Sequence, residues 1–565
     1  MKDEPVSEKS SVQPTREFQD GAAASPCAPQ EYPSAGRVAL IMMSIYISIF
    51  LIALDKTIIA PAIPSITNTF SSLNHIGWYG SAYMLTLCSF QLFWGRLYTL
   101  SSTSSLPIPL NSPKSVFLLA IAIFEVGSAI CGAAPSSVAF IIGRAIAGLG
   151  SAGIMNGSVV VMMAVVPLRK RPLLQGLIGA VFGIASVVGP LLGGVFTEKL
   201  SWRWCFYINL PCGAVAVAVL VIVLRLPQPS PGTKRQDEAI SLAQRLESLD
   251  PLGMLTFICS IVCLLLALQW GGTTYNWSNW RVVLLLTLFP LLLAVFFAIQ
   301  ICYPATATLP LRILTQRSIA SCFFFTFTSQ ASMLVNAFYT TLFFQAIKGF
   351  SPLDSGLATL PFLLALVVGS ILAGGMVQRI GVPAPFMIVS AILASTGAGM
   401  ITTWPVDVSK RFWMGYQVLF GLGIGLGMQQ PGMMAQIILP REDQPIGMAL
   451  MFFGQNLGGA VFVSVAQNVF TDELARKLSA VPGLNLDKKA ITNIGATMIK
   501  DLVTNEWLTV VLEGYRLAIR KAFLVGTGLA AVSMLGALLV EWKSIQKAEE
   551  RSKGETPGKE MAAAV

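Results

Sequence analysis

Stretches of about twenty apolar residues recur along this chain from Val38 to Val540 with only short polar breaks, and that recurrence limits what it can fold into. A bilayer core about 30 Å thick is crossed by roughly 20 helical residues. In lipid every backbone N–H and C=O must be bonded within the protein, which a helix achieves by itself. Composition agrees: 54% of the residues are apolar and 12% are charged, with a mean hydropathy of +0.69. That charge density is about half of what a soluble domain carries. The chain reads as an all-α integral membrane protein.

Apolar runs predict spans near 38–60, 77–97, 115–134, 138–163, 173–197 and 205–226, then 251–269 and 281–303. Six more follow near 318–346, 353–374, 384–403, 411–438, 446–470 and 521–541, fourteen in all. The expected organisation is a polar, disordered cytoplasmic tail (1–37) without the apolar core of a cleavable signal, a six-helix half (38–226) and a polar cytoplasmic linker (227–250). Two extra spans (251–303), a second six-helix half with a long outer loop at 471–520 (304–541) and a cytoplasmic tail (542–565) complete it. Arg96, Lys114, Arg169, Lys170, Arg171, Lys234, Arg235, Arg245, Arg312, Arg317, Arg379 and Arg441 fall on alternate loops, whereas segments 61–75 and 271–280 hold no Lys or Arg. That asymmetry places the amino terminus inside. Arg476, Lys477, Lys488, Lys489 and Lys500 break the trend, but their segment is long and also acidic and carries little weight.

The formal charge of +10 is scattered among the spans and forms no Lys/Arg stripe interleaved with aromatics, which argues against nucleic acid. Nine cysteines form no CxxC, and most lie in or beside apolar helices, where they read as small buried hydrophobes. His75 is the only histidine. No catalytic residue, metal site or cofactor is therefore expected, and the chain does not read as an enzyme. A phosphate-binding GxxxxGK[ST] loop is missing, so energy would come from an ion gradient.

The chain repeats itself. Pro167-Leu-Arg-Lys-Arg-Pro172 is echoed by Pro440-Arg-Glu-Asp-Gln-Pro445 after the fourth span of each half, and Gly95-Arg96 by Gly375 to Arg379 after the second. Two related halves place a binding site between them near the midplane. Ionisable residues inside spans are expensive and few: Asp55, Glu125 and Arg144. A carboxylate there must be protonated, paired or hydrated, as a proton carrier requires; capping of the span at the water interface is the other reading for Asp55 and Lys56. Arg144 needs an acid or a hydrated cavity, and a purely structural ion pair is its alternative. The second half offers uncharged polar groups instead: Gln330, Asn336, Tyr339, Gln345, Gln429, Gln430, Gln436, Gln455, Asn456 and Gln467. As a group they suit a neutral or mildly polar, partly aromatic substrate, although helix-to-helix hydrogen bonding explains any one of them equally well. The glycine run from Gly421 to Gly427 lies within a span and reads as helix packing rather than a nucleotide loop.

Four strings carry a family resemblance. Leu54-Asp55-Lys56-Thr57 through Ala62 and Pro64 is similar to an L-D-x-T-x-x-x-x-A-x-P signature. Arg144 with Gly148 and Gly150 is similar to R-x-x-x-G-x-G. Ala185 through Gly189-Pro190 to Gly193-Gly194, preceded by Gly179 and Gly183, is similar to G-x-x-x-G-P-x-x-G-G. Trp202-Arg203-Trp204 through Ile208-Asn209-Leu210-Pro211 is similar to W-R-W-x-F-x-I-N-x-P. From the first predicted span to the last, the chain resembles the major facilitator superfamily, in particular its fourteen-span drug:proton antiporters and their fungal toxin and secondary-metabolite exporters. The resemblance implies proton-coupled efflux of small amphipathic organic molecules by alternating access. Its expected partners are that substrate, protons and the lipid bilayer, with no obligate protein partner and no nucleic acid. It implies a multi-pass protein of the cell membrane, with a vacuolar or vesicle membrane as the alternative. Asp55, Glu125 and Arg144 are the proton-coupling candidates, and Gly179, Gly183, Gly189, Pro190, Gly193 and Gly194 are structural pivots. Gly95 and Arg96 open a gating loop, and the WRW string is expected to anchor at the headgroups with Arg203 snorkelling. The span-five string indicates an exporter; a carrier of siderophores or other nutrients is the alternative. One departure stands out: residues 101–111, of linker composition, interrupt the gating loop before Lys114.

Overall fold

Every predicted apolar run is helical in the computed structural model, which describes residues 32–72, 75–102, 112–225, 247–272, 274–478 and 505–554. Of the insertion at 101–111, residues 101–102 close a helix and 103–111 lie outside the described residues, as do most of the linker, residues 1–31 and 555–565 of the tails and 479–504 of the outer loop. The elements are α1 (Ala35–Phe70), α2 (Ile76–Ser89), α3 (Gln91–Ser102), α4 (Pro113–Ala133), α5 (Ser137–Val165), α6 (Arg171–Lys199), α7 (Trp204–Tyr207) and α8 (Asn209–Val223). Then come α9 (Pro251–Trp270), α10 (Trp280–Cys302), α11 (Leu311–Leu314), α12 (Arg317–Ala346), α13 (Pro352–Leu357), α14 (Leu360–Ile380) and α15 (Ala384–Ile401). The last are α16 (Lys410–Gly427), α17 (Gln430–Ile438), α18 (Gln444–Leu478), α19 (Asn505–Leu539) and α20 (Ile545–Gly554).

Among the described residues, 12 helical segments are long and apolar enough to cross a membrane. The two remaining predicted spans are broken helices, α2–α3 at Phe90 and α16–α17 at Met428 and Gln429. Pro431 accounts for the second break, since it lacks the N–H that would bond the Gly427 carbonyl one turn back. Three helices outrun expectation. α1 continues through Pro61 and Pro64 to Phe70, ending on Ser71 in the left-handed region (φ 49°). α18 and α19 extend into the expected outer loop because Leu474, Leu478, Val511 and Tyr515 bury one another there. The expected tail holds α20, docked through the Ile545 N–H bonded to the Gly381 carbonyl at 2.8 Å.

Helices α1–α8 pack on one another, as do α12–α19, and the two groups meet along α6–α14 and α3–α18. Lipid supplies no hydrophobic drive between helices, so close backbone approach has to hold the seam. A Cβ at Gly176 would stand 2.6 Å from the Ser370 carbonyl oxygen, one at Gly374 2.6 Å from the Pro172 oxygen, and one at Gly95 2.5 Å from the Ala449 Cβ. Gly80 of α2 and Gly194 of α6, away from the seam, leave open space. The groups thus make close backbone contact at the end bearing Arg96 and Arg171, and α13, just ahead of α14, also touches α6. α9 leans on α10 and α2, joined by Ser81 donating to Gln269 Oε1 at 2.9 Å and by the Trp78–Trp270 rings at 6.4 Å.

Adding a methyl at the seam must push backbone aside. Gly176→Ala is expected to cost about 1–3 kcal/mol, whereas Gly194→Ala should stay within about 0.5 kcal/mol of the parent. Unfolding midpoints of the detergent-solubilised protein check this, and equal midpoints for both variants would contradict the seam.

Candidate functional site

Asp55 on α1 is fully buried, and Arg144 on α5 is 1% exposed. The Arg144 Nη1 donates to Asp55 Oδ2 at 2.6 Å, and its Nε donates to the Tyr79 carbonyl at 3.0 Å. The guanidinium carbon lies 4.5 Å from the Tyr83 ring centroid and 5.8 Å from that of Phe206. Tyr83 is itself held by donating to Ser151 Oγ at 2.6 Å. The two glycines that follow Arg144 make this enclosure. A Cβ at Gly148 would collide with the Tyr83 carbonyl of α2, and one at Gly150 with the Phe124 nitrogen of α4, so their absence draws both helices onto α5. Inserting each charge alone in hydrocarbon costs about 2.5–3.5 kcal/mol. Their attraction at 2.6 Å is on the order of 6 kcal/mol at an effective dielectric of about 20. The pair roughly breaks even, but either member alone does not. Asp55 Oδ1 has no partner among the described residues. The pair lies wholly inside the helix group, which removes the reading of Asp55 as an interfacial cap.

Glu125 does not join this pair. It leaves α4 toward α8, where it packs against Gly213, and both carboxylate oxygens are buried without a partner among the described residues. One turn along the same seam, Asn209 Nδ2 donates to Ser128 Oγ at 3.0 Å.

The glycine string of α6 has two faces. Gly176, Gly179 and Gly183 lie against Ser370 and Val367 of α14, while Gly189 and Gly193 lie against Thr57, Ile58 and Pro61 of α1. Thr57 Oγ1 donates to the Ala185 carbonyl at 3.2 Å. Pro190 sits between the faces, inside the helix. α6 thus touches the turn of α1 that follows Asp55 and also the seam with the second group. Gly194 belongs to neither face.

At the seam's tight end Gly95 meets α18, and Arg96 donates through Nε and Nη2 to the Ser248 carbonyl at 3.1 and 2.9 Å. Beside it lies a hub that the sequence reading missed. Asp250, 5% exposed and at φ 52°, caps α9 through the Gly253 N–H at 2.9 Å. It also accepts from Gln300 Nε2 at 2.6 Å, Thr308 Oγ1 at 3.0 Å and the Thr308 N–H at 3.2 Å. The detectable signal was Asp-Pro just ahead of an apolar run, a helix-start pair. Arg312, between the extra helices and α12, pairs with Asp443 at the head of α18 (2.9 Å for Nη2 to Oδ1).

Asn336, Tyr339 and Gln430 are buried within the second group, where Asn336 Nδ2 donates to the Ser332 carbonyl of its own helix and Gln430 Nε2 to the Leu426 carbonyl of α16, while Asn336 Oδ1, the Tyr339 hydroxyl and Gln430 Oε1 have no partner among the described residues. Gln345 donates to Ser355 Oγ at 2.8 Å. Four other polar candidates, Gln330, Gln429, Gln455 and Asn456, are half-buried on α12, at the α16–α17 break and on α18. The Trp202 and Arg203 side chains do not snorkel. Trp202 is 4% exposed among Phe70, Phe140 and Phe206, and Arg203 Nη1 donates to the Gly132 and Ala134 carbonyls that end α4, at 2.6 and 3.0 Å. Those orphan carbonyls at a helix end outcompete the headgroups for the guanidinium. Among the cysteines Cys302 is exposed, and Cys212, Cys259 and Cys263 are only half-buried. The glycine run of α16 packs as expected, Gly421 and Gly425 against carbonyls of α14 and Gly423 against α15.

Comparison with known proteins agrees with this architecture. Residues 45–330 match the family model described as Major Facilitator Superfamily. The chain is 47% identical to the MFS-type efflux pump MFS1 of Arthroderma benhamiae over 90% of this chain and 92% of that one. It is 43% identical to the rubrofusarin-specific efflux pump aurT of Gibberella zeae over 92% of each. A solved structure of the proton:xylose symporter XylE superposes with a TM-score of 0.55 at 14% identity, covering 92% of this chain and 100% of that one, which shows a shared fold.

Removing one member of the buried pair strands the other. Asp55→Ala is expected to cost about 3–5 kcal/mol and Glu125→Gln far less, because Glu125 has no partner to lose. Thermal unfolding in detergent checks this, and a larger loss for Glu125→Gln would contradict the assignment of Asp55 as the partner of Arg144.

Proposed function

This chain belongs to the Major Facilitator Superfamily of membrane transporters, and on that premise we propose that it exports small amphipathic organic molecules, fungal secondary metabolites among them, in exchange for protons. The observation that carries the reading is the contact of Asp55's own helix turn with the glycine string of α6, whose other face forms the seam between the groups. A change at the acid is thereby mechanically connected to the surface on which the two groups rock.

The broken pairs α2–α3 and α16–α17 complete fourteen crossings, and the amino terminus lies inside. The tight end at Gly95 and Gly176 is then cytoplasmic, a state closed to the inside. A proton arriving from outside neutralises the Asp55 carboxylate and removes the counter-ion of Arg144. The pair loses its attraction, α1 is released from α5, and the seam held by Gly176, Gly179 and Gly183 opens toward the cytoplasm. Loss of the proton inside reforms the pair and returns the loaded carrier to the outward state. Glu125 is a second proton site that acts through the α4–α8 seam. The half-buried amides Gln330, Gln429, Gln455 and Asn456 contribute uncharged polar contacts to the substrate cavity. The names of the relatives, efflux pumps with rubrofusarin as one cargo, support the direction and the substrate class. The cell membrane is the membrane in which such export clears a toxic product.

Inside-out vesicles with an acidic lumen test the cycle, using aromatic metabolites from the culture medium of the source organism and mass spectrometry as the readout. The parent protein is expected to accumulate a subset of them. Asp55→Asn keeps a carbonyl for the Arg144 hydrogen bond but takes no proton; the uncompensated Arg144 should make it less stable than the parent, and the protein that does reach the membrane should lose the accumulation. Full accumulation by that variant would refute Asp55 as the coupling acid.

A further inference from the structure

Helix α20 touches both helix groups. Its first residue, Ile545, is 1% exposed and belongs to an apolar cluster with Val377 of α14, Phe386 of α15 and Met433 of α17, all of the second group. Leu168 of the first group packs against that same cluster. It opens a single 3-10 turn, Leu168–Lys170, that leads into α6, and both this turn and α17 contact α20 directly. Two residues past the turn, the Pro172 carbonyl meets Gly374 in the close backbone contact of the seam.

One face of α20 makes these contacts. Ile545 is buried and Ala548 and Glu549 are half-buried, whereas Gln546, Lys547 and Glu550 are exposed, the spacing of a single helix face. Glu549 is among the charges that act on Arg171, the residue that reaches across the seam. Arg171 donates through Nε and Nη2 to the Val166 and Met163 carbonyls of its own group, at 2.9 Å each, and through Nη1 to Gln436 Oε1 of α17 at 3.4 Å. The two attachments of α20 differ in kind. To the second group it is fastened by the chain itself, by the Ile545 N–H on the Gly381 carbonyl at 2.8 Å, and by the Glu541 N–H on Ser318 Oγ at 3.3 Å just ahead of it. To the first group it holds by packing and charge at one turn. Any motion that parts the groups at this end must therefore pull the Leu168–Lys170 turn away from α20.

We propose that α20 is an autoinhibitory strap, which in its docked position holds the tight end of the seam shut and so sets how often the carrier opens there. This deepens the transport reading above and rests on its rocking of the two groups. A contact made in the closed state and lost in the open one shifts the balance between them by its own free energy. Weakening the strap at Ile545 or Glu549 moves the population toward the state open at this end, without touching Asp55, Arg144 or the glycines of the seam.

The test is amide hydrogen exchange read by mass spectrometry on the purified full-length protein in detergent, without substrate or proton gradient. Segments 168–176 and 370–381 report the tight end, because their amides meet water when the seam parts. Ile545→Ala, which removes the buried side chain, is expected to speed exchange in both segments on the order of tenfold, the shift that one buried aliphatic group supports. Glu549→Lys, which sets a like charge near Arg171, should act in the same direction, and Lys547→Glu on the exposed face should keep the parent rates. Glu549→Lys leaves the apolar cluster whole and decides the matter if Ile545→Ala does not fold. Faster exchange confined to α20 with both seam segments at parent rates, an equal rise throughout the Glu549→Lys protein, or the same rise in Lys547→Glu overturns the proposal. Because no gradient is involved, failure of proton-driven export leaves the strap standing, and a strap without effect on the seam leaves export untouched.

Discussion

Two opposite charges sit in hydrocarbon, 2.6 Å apart and almost sealed from solvent, and much of the first helix group is arranged around them. Arg144 cannot remain there unless α1 delivers Asp55 to it, α2 delivers the Tyr79 carbonyl, and the Tyr83 and Phe206 rings cover its faces. Gly148 and Gly150 let α2 and α4 come close enough for this. The attraction within the pair and the cost of burying it are of similar size, so the arrangement depends on both charges being present.

The seam between the groups follows the same economy of small side chains. Gly176, Gly374 and Gly95 bring backbone against backbone, and α6 uses one face for that seam and the other for α1. Proline and glycine in α6 thus do not mark a weak helix. They give a single helix two close-contact surfaces, with Pro190 between them. The extra pair α9–α10 is tied in by a different means. Asp250, Gln300 and Thr308 form a closed polar hub at their base, and Arg96 of the first group holds the chain immediately before it.

How much of this was legible in the sequence depended on whether the governing force was local. Apolar runs revealed the spans because bilayer thickness sets their length, and Arg144 announced the need for a carboxylate because an unpaired cation is too costly there. The identity of its partner was not legible: Asp55 and Glu125 were equal candidates until the side of α4 on which Glu125 lies was known. The Trp202-Arg203 string read as interfacial because aromatics and Arg suit headgroups, yet the open carbonyls of Gly132 and Ala134 claimed the guanidinium. Asn336 and Gln430 show a related limit: a buried amide signals the need for partners, and here helix carbonyls meet that need only in part, leaving Asn336 Oδ1 and Gln430 Oε1 without a partner among the described residues. The helical extensions past Phe470 depend on Leu474 and Leu478 meeting Val511 and Tyr515, a pairing between segments far apart in the chain.

The central claim is that a chain of this superfamily carries an organic molecule outward. It is tested most directly by untargeted mass spectrometry of medium and cell extract from the source organism with and without the gene. The account predicts at least one aromatic metabolite that moves from the medium into the cells when the gene is deleted. A compound that instead remains in the medium and becomes depleted in the cells would mean inward transport, and would contradict the account.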